Sequence, residues 1–184
     1  MLPFQFYSKV VNNINIDDLE KEIPFIREKI NSNGEWIPES RLTCWMSDDD
    51  TTLEYSDKEM EPIRLTDKVS EIRDILNQKF GIYFDSVLAN YYSDNSVGMR
   101  YHSDPLGDNK WDPNFMIVSF GSDRKLIFRE IKNVDIKYPF EMSNGDMVHM
   151  FDDCQDKYQH SVRRVKTKIG PRISLVFKKS IKKI

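Results

Sequence analysis

The chain has 184 residues, enough for one domain to bury a core without disulfide or metal staples. A net charge of −3 does not mark a general nucleic-acid binder, and no apolar run of about eighteen residues or charged-then-apolar leader is visible, so neither a membrane span nor a signal peptide is expected. Cys44 and Cys154 lie far apart without CxxC spacing and read as reduced thiols of an intracellular protein, cytoplasmic or nuclear, in a reducing compartment. Charge is unevenly placed: Ser161 to Ile184 holds nine Lys/Arg and no acid, whereas Met46 to Glu61 holds seven acids and one lysine. Both stretches can be ordinary solvated faces, yet a localised basic strip can also attract phosphates.

In chain order, residues 17–31 (DDLEKEIPFIREKIN) read as a helix with acidic first-turn residues and Pro24 in its middle. Residues 33–62 are polar, carry Trp36 and Trp45, and read as hairpins and loops rather than a packed element. Residues 67–80 predict a helix with Val69, Ile72, Leu76 and Phe80 on one face, Thr66 as its cap and Gly81 as its end. Beyond Gly81, short strands are expected at 84–92, 98–102, 115–120, 125–131, 146–151, 159–165 and 172–178, separated by turn signals. The expected architecture is mostly β with flanking helices (α+β). One domain divides into N-terminal helices and hairpins (1–83) and an antiparallel β-core (84–180) built as a sandwich or barrel.

His102 and Asp104 are two residues apart, so a strand would present both on one face, with His160 supplied from a distant strand. Two imidazoles and one carboxylate leave several coordination positions open, which suits iron(II); catalytic zinc is the chemical competitor, and a surface His beside an Asp is the bland alternative. Alternation in 171–179 puts Arg172, Ser174, Val176 and Lys178 on one face and Ile173, Leu175 and Phe177 on the other. The apolar face seals a core, so the cationic face looks into a cavity or solvent, where an arginine can fork onto a carboxylate. Asn90 and Tyr92 share a strand face in the same manner. His149, within MVHMF, reads as a hydrogen-bonded core or surface histidine rather than a ligand.

Together, Asn90-Tyr91-Tyr92, His102-Ser103-Asp104, the SFG of Ser119 to Gly121, Gln159-His160 and the Arg172-Ile-Ser-Leu-Val-Phe run resemble the AlkB family of Fe(II)/2-oxoglutarate dioxygenases over residues 84–178. The segment SFGSDRKLIFRE (119–130) and the step from His160 to Arg172 are most similar to the nucleic-acid repair members. The resemblance implies a double-stranded β-helix (jelly-roll) core, with iron on His102, Asp104 and His160 as the catalytic centre. It implies 2-oxoglutarate on Arg172, Asn90 and Tyr92, with Ser174 and Lys178 on the same wall. The implied activity is dioxygen-dependent oxidative N-dealkylation of bases such as 1-methyladenine and 3-methylcytosine, releasing formaldehyde, succinate and carbon dioxide. Expected partners are single-stranded DNA, duplex DNA or RNA bearing an alkylated base, bound by a monomer. The same chemistry on modified RNA or a protein side chain is one alternative, and a non-catalytic nucleic-acid-binding module is another.

Two departures stand out. Lys178 stands where the family usually has a second arginine, keeping the charge but losing the planar fork, and Val176 replaces a position often polar in close relatives. Candidate substrate contacts are Tyr55, Trp45 and Arg41, in a region (34–41 and Tyr55-Ser56) that loosely resembles the family's recognition hairpins; an aromatic face offsets the cost of unstacking a base. Trp36 is a candidate wedge or loop anchor. The basic strip of Arg163, Arg164, Lys166, Lys168, Lys179, Lys182 and Lys183 is suited to holding a phosphate backbone.

Overall fold

Asn15 starts the first helix by accepting a hydrogen bond from Asp18 N–H, and Pro24 ends it: the residue before a proline is pushed toward extended backbone, and Ile23 has φ −86° and ψ 118°. Helix α1 is therefore Ile16–Glu22, shorter than the 17–31 expected. The remainder of that stretch enters an exposed hairpin of β2 (Lys29–Ser32) and β3 (Glu35–Pro38), preceded in the chain by β1 (Phe4–Tyr7). The structure, a computed structural model, describes residues 1–181, so Lys182 and Lys183 of the basic strip lie outside the described residues.

Strands β4 (Leu42–Ser47), β5 (Leu53–Tyr55) and β6 (Lys58–Met60) follow, then helix α2 (Asp67–Phe80). Helix α2 buries Val69, Ile72 and Leu76 and ends on left-handed Gly81 (φ 67°), as the sequence indicates. Its start differs: Thr66 makes no side-chain cap, and Glu22 instead accepts from both Thr66 Oγ1 (2.7 Å) and Lys68 N–H (2.8 Å), tying α1 to α2.

The remaining elements are β7 (Ser86–Tyr92), β8 (Met99–His102), β9 (Phe115–Gly121), β10 (Arg124–Glu130), β11 (Lys137–Met142), β12 (Met147–Met150), α3 (Cys154–Lys157), β13 (Tyr158–Val162) and β14 (Arg172–Lys178). A six-stranded sheet runs β1-β12-β9-β14-β7-β4 and a four-stranded sheet runs β11-β10-β13-β8, antiparallel throughout. This is the jelly roll. It corrects the division at residue 83, because β1 and β4 belong to the larger sheet. Residues 33–62 are likewise not all loop, since β4 is buried from Thr43 to Ser47.

Alternation on the larger sheet makes two compartments. Val87, Ala89, Met116, Val118, Ile173, Leu175 and Phe177 face the helices and meet Leu19, Val69, Ile72 and Leu76. Each fully buried aliphatic side chain there contributes about 1.5–3 kcal/mol relative to exposure. Leu88, Phe115, Ile117 and Val176 face the smaller sheet and meet Leu126, Phe128 and Val162. The space between the two sheets, incompletely filled, becomes the site.

Candidate active site

Strand β14 lies between β9 and β7, so its inward residues point into the gap: Arg172 opposite Tyr92 and Gly121, Ser174 opposite Asn90 and Ser119, then Val176 and Lys178. Across the gap, His160 of β13 pairs with His102 of β8. A cavity of about 520 Å³ opens between them. Its wall includes His102, Asp104, His160, Asn90, Tyr92, Arg172, Ser174 and Lys178 at one end, and Glu39, Arg41 and Tyr55 at the other.

The sequence places the two histidines and the aspartate together, and the fold brings them together. Asp104 lies just beyond the end of β8 rather than within the strand. One carboxylate oxygen is 3.8 Å from His102 Nε2 and the other 3.6 Å from His160 Nε2, and the three ligand atoms lie within 4.8 Å of one another. His102 Nδ1 lies 2.8 Å from the carbonyl of Arg100, which places the proton on Nδ1 and leaves the Nε2 lone pair free. Burial is the largest influence on His160, with His102 and Lys178 adding to it, and together they push the imidazole down to about 3, a neutral ligand. Burial alone would raise the Asp104 carboxyl, but Lys178, His160 and His102 outweigh it and hold it at about 2. Its Oδ2 is buried without a hydrogen-bond partner among the described residues. An ionised carboxylate oxygen left without a hydrogen bond beside two imidazole nitrogens fits a divalent cation.

The loop carrying these ligands is pinned from behind. Gln155 Oε1 accepts from Asp104 N–H at 2.8 Å, and Ser103 Oγ donates to the carbonyl of Tyr158 at 2.8 Å. Neither Gln155 nor its helix α3 stood out in the sequence, because a single amide side chain in FDDCQDKY carries no periodic signal.

Arg172 is fully buried, and its Nε donates to Ser119 Oγ at 2.8 Å. Nη1 and Nη2 make no hydrogen bond among the described residues, although the Tyr92 ring lies beside the guanidinium, 5.3 Å from Cζ to its centroid. Desolvation lowers this guanidinium to about 10, still charged at neutral pH. A buried cation with a free fork beside a metal site can hold a small dicarboxylate. Asn90 is set by Arg41, whose Nε donates to Asn90 Oδ1 at 2.7 Å, and Asn90 Nδ2 donates to Ser174 Oγ at 3.4 Å. Lys178 Nζ lies 3.6 Å from the Phe115 ring centroid, and burial lowers its pKa although Asp104 opposes the shift.

At the far end, Tyr55 and Arg41 line the cavity, but Trp45 does not. Trp45 is buried in the core, donates Nε1–H to the Thr51 carbonyl at 2.8 Å and meets Trp111 edge-on, so it has no surface left for a substrate. Glu39 sits among these residues and was not singled out, since nothing in WIPESR separates it from an exposed acid. Trp36 is half-exposed on the β2–β3 hairpin, and His149 bonds Asn114 Oδ1 at 2.8 Å, as expected of a structural histidine. Arg163, Arg164, Lys166 and Lys168 are exposed in the loop between β13 and β14, whereas Lys179 is half-buried beside Asp112. Several acids of the 46–61 segment are engaged: Asp48 with Arg73, Asp50 with Arg64 and Glu54 with Lys110. Among the described residues no helix is long and apolar enough to cross a membrane.

Comparison with known proteins places this site in context. Residues 5–178 match the profile of the 2OG-Fe(II) oxygenase superfamily. A protein of Acanthamoeba polyphaga mimivirus is 35% identical over 179 residues, covering 96% of this chain and 93% of its own. The DNA oxidative demethylase ALKBH2 of Bos taurus is 24% identical over 173 residues, covering 88% of this chain and 62% of its own. Human ALKBH2 is 25% identical over 173 residues, covering 88% and 66%. Among solved structures, OsALKBH1 shares the fold at TM-score 0.66 and 13% identity, covering 97% of each chain. With a profile match along nearly its whole length and a His-Asp-His site at the centre of its jelly roll, the chain belongs to the 2OG-Fe(II) oxygenase superfamily as a member of its AlkB family, whose reaction uses Fe(II), 2-oxoglutarate and O2.

Proposed function

We propose that the protein is an oxidative N-dealkylase of nucleobases alkylated on a ring nitrogen, of the 1-methyladenine and 3-methylcytosine type. The carrying observation is that a buried, half-satisfied arginine and a His-Asp-His triad share one cavity that continues, away from both, to Tyr55 and Arg41. Similarity to the ALKBH2 proteins, named DNA oxidative demethylases, supports the same direction.

In this reading His102, Asp104 and His160 hold iron on one side, and the cofactor pair supplies the oxidising power when bound. Arg172 takes the far carboxylate of 2-oxoglutarate through its free Nη atoms, with Asn90 and Tyr92 beside it. Leu88, Ile117, Leu126 and Val176 make the cavity wall apolar beside these polar groups, which favours exclusion of water when the site is filled. Tyr55 offers an aromatic face to an extruded base. The exposed cations between β13 and β14 hold the phosphate backbone without reading sequence.

The test is incubation of purified protein with iron(II), ascorbate, 2-oxoglutarate and oligonucleotides carrying one methylated base as single-stranded DNA, duplex DNA or RNA. Formaldehyde and succinate in equal amounts are expected. Absence of succinate with every oligonucleotide would move the reading to a non-catalytic binding module. Affinity should also fall steeply with salt if the cations contact phosphates.

A further inference from the structure

Arg124, the first residue of β10, is only 1% exposed and lies outside the cavity wall. Its Nη2 donates to the carbonyls of Val97 at 2.7 Å and Arg163 at 2.6 Å, and its Nη1 donates to that of Asp94 at 3.3 Å. One guanidinium therefore holds both the loop that joins Tyr92 to His102 and the loop that joins His160 to Arg172. Those loops also hold each other: Val165 N–H donates to the Asn95 carbonyl and Asn95 Nδ2 to the Val165 carbonyl, both at 3.1 Å. Neutral donors suffice to hold three carbonyls. Arg124 instead brings a buried charge whose Nε has no partner, and no carboxylate accepts from it among the described residues. Asp94 attracts it from the loop, but that carboxylate is exposed and accepts from Ser93 and Ser96. Arg172 is likewise buried without a carboxylate, and both cations lie beside one ring: the Tyr92 centroid is 5.7 Å from Arg124 Cζ and 5.3 Å from Arg172 Cζ. Burial does most to lower the Arg172 guanidinium, and Arg124 adds to it while Tyr92 opposes.

We propose that Arg124 is a specificity-determining residue of the cosubstrate pocket: with Arg172 it makes a two-cation end wall around Tyr92 that demands a second carboxylate on the 2-oxo acid. This rests on the placement of 2-oxoglutarate on Arg172. Arg172 makes the contact, and Arg124 acts through its charge without touching the ligand. Two buried guanidiniums with no counter-charge are unfavourable, and the far carboxylate of the cosubstrate supplies the charge that the protein lacks there. A 2-oxo acid ending in a methyl group fills the same space and leaves both cations uncompensated. Charges in buried surroundings are weakly screened, so a unit charge about 10 Å away still changes the binding of an anion by about tenfold.

The experiment measures, by calorimetry on manganese(II)-loaded protein and without turnover, the affinities of 2-oxoglutarate and 2-oxopentanoate. The second has the same chain of five carbons with a methyl group in place of the far carboxylate. Wild type should bind the dicarboxylate more tightly. Arg124→Met should lower that preference by about tenfold, through weaker binding of 2-oxoglutarate. Arg124→Gln, which keeps a donor for the loop carbonyls, should do the same and supplies the neutral variant if Arg124→Met does not fold. Arg124→Lys keeps the charge but loses the three-carbonyl fork, so it should preserve the preference within about twofold even where both ligands weaken. A residue that only clamps the loops would weaken both ligands alike in every variant, and an unchanged ratio in the neutral variants overturns the proposal. Arg172→Ala is the control and should abolish the preference. Persistence of the preference in Arg172→Ala overturns the placement of 2-oxoglutarate and this inference together. Its loss in Arg172→Ala but not in the neutral Arg124 variants overturns this inference alone.

Discussion

Arg172 Nε donates to Ser119 Oγ across the β14–β9 register, 2.8 Å apart and fully buried. That bond uses one of the five N–H groups of the guanidinium and turns its plane, so that the free Nη edge is the part left to meet a ligand.

Ser119→Ala should therefore loosen the fork without removing the charge. A hydrogen bond from a charged group is worth about 1.5 kcal/mol or more, so the KM for 2-oxoglutarate should rise about tenfold with kcat little changed. Arg172→Ala should raise the same KM much further. Succinate formation against 2-oxoglutarate concentration reads both, and unchanged cosubstrate dependence in Arg172→Ala contradicts the assignment.

Removal of a metal ligand acts at the reacting centre instead. His102→Ala or Asp104→Ala should abolish succinate formation and iron binding while leaving the fold in place. Asp104 is held at about 2 by burial opposed by Lys178 and the two imidazoles, so its loss also removes the charge that makes the triad attractive to a cation. Iron content after anaerobic loading, measured beside circular dichroism, separates loss of the site from loss of the fold.

The chemistry-bearing half of the chain was legible because strands carry a two-residue period. The alternation in 172–178 places Arg172, Ser174, Val176 and Lys178 on the cavity side, and β14 does so. His102 and His160 come from strands expected at those positions, and they sit directly opposite each other. The N-terminal part was less readable. Pro24 turned the end of a helical pattern into hairpin strand β2. Strand β11 was missed because Pro139 and half-exposed alternation mark an edge strand, where a proline is tolerated. Strand β4 was missed because its inward face carries Trp45 and Thr43 between polar flanks, and only its pairing with β7 reveals it as sheet. Trp45 itself shows the limit of composition: an aromatic residue in a recognition region can equally be core.

Gln155 connects the metal loop to α3, and its amide oxygen is the partner of Asp104 N–H. Gln155→Met keeps length and apolar packing but loses the acceptor. Metal affinity should drop about tenfold, the lower range for groups that orient a ligand from behind. Titration of the protein with manganese(II), which needs no turnover, gives the answer; unchanged affinity would assign Gln155 to packing alone.

Gly121 closes β9 opposite Arg172 with φ +86°, and a Cβ there would lie 2.5 Å from the carbonyl oxygen of Pro171 and 2.6 Å from Ile16 Cδ1. Gly121→Ala should cost about 1–3 kcal/mol from the left-handed backbone, with further loss from the clash. Because the contact is with the residue before Arg172, the start of β14 must shift, and the KM for 2-oxoglutarate should rise together with the fall in stability. Thermal unfolding and cosubstrate titration on one preparation test the link.

Glu39 gives the cluster at the cavity mouth a pH dependence of definite sign. Its carboxyl is depressed below the ordinary 4.5 because Arg41, Lys58 and Tyr55 outweigh the cost of burial. As pH falls below 4.5 the unfolded chain takes up a proton first. The stabilisation is thus fully present above 4.5 and lost as pH falls through the folded value. Glu39→Gln at neutral pH leaves Arg41 buried without its carboxylate and Lys58 with only the more distant Glu28, 3.8 Å away, and should cost about 3 kcal/mol. The difference in unfolding free energy between wild type and Glu39→Gln should be constant from pH 7 to about 5 and shrink below 4.5. Urea unfolding at several pH values measures it. A gap that stayed level below pH 4 would mean that the carboxylate contributes through shape and not through charge.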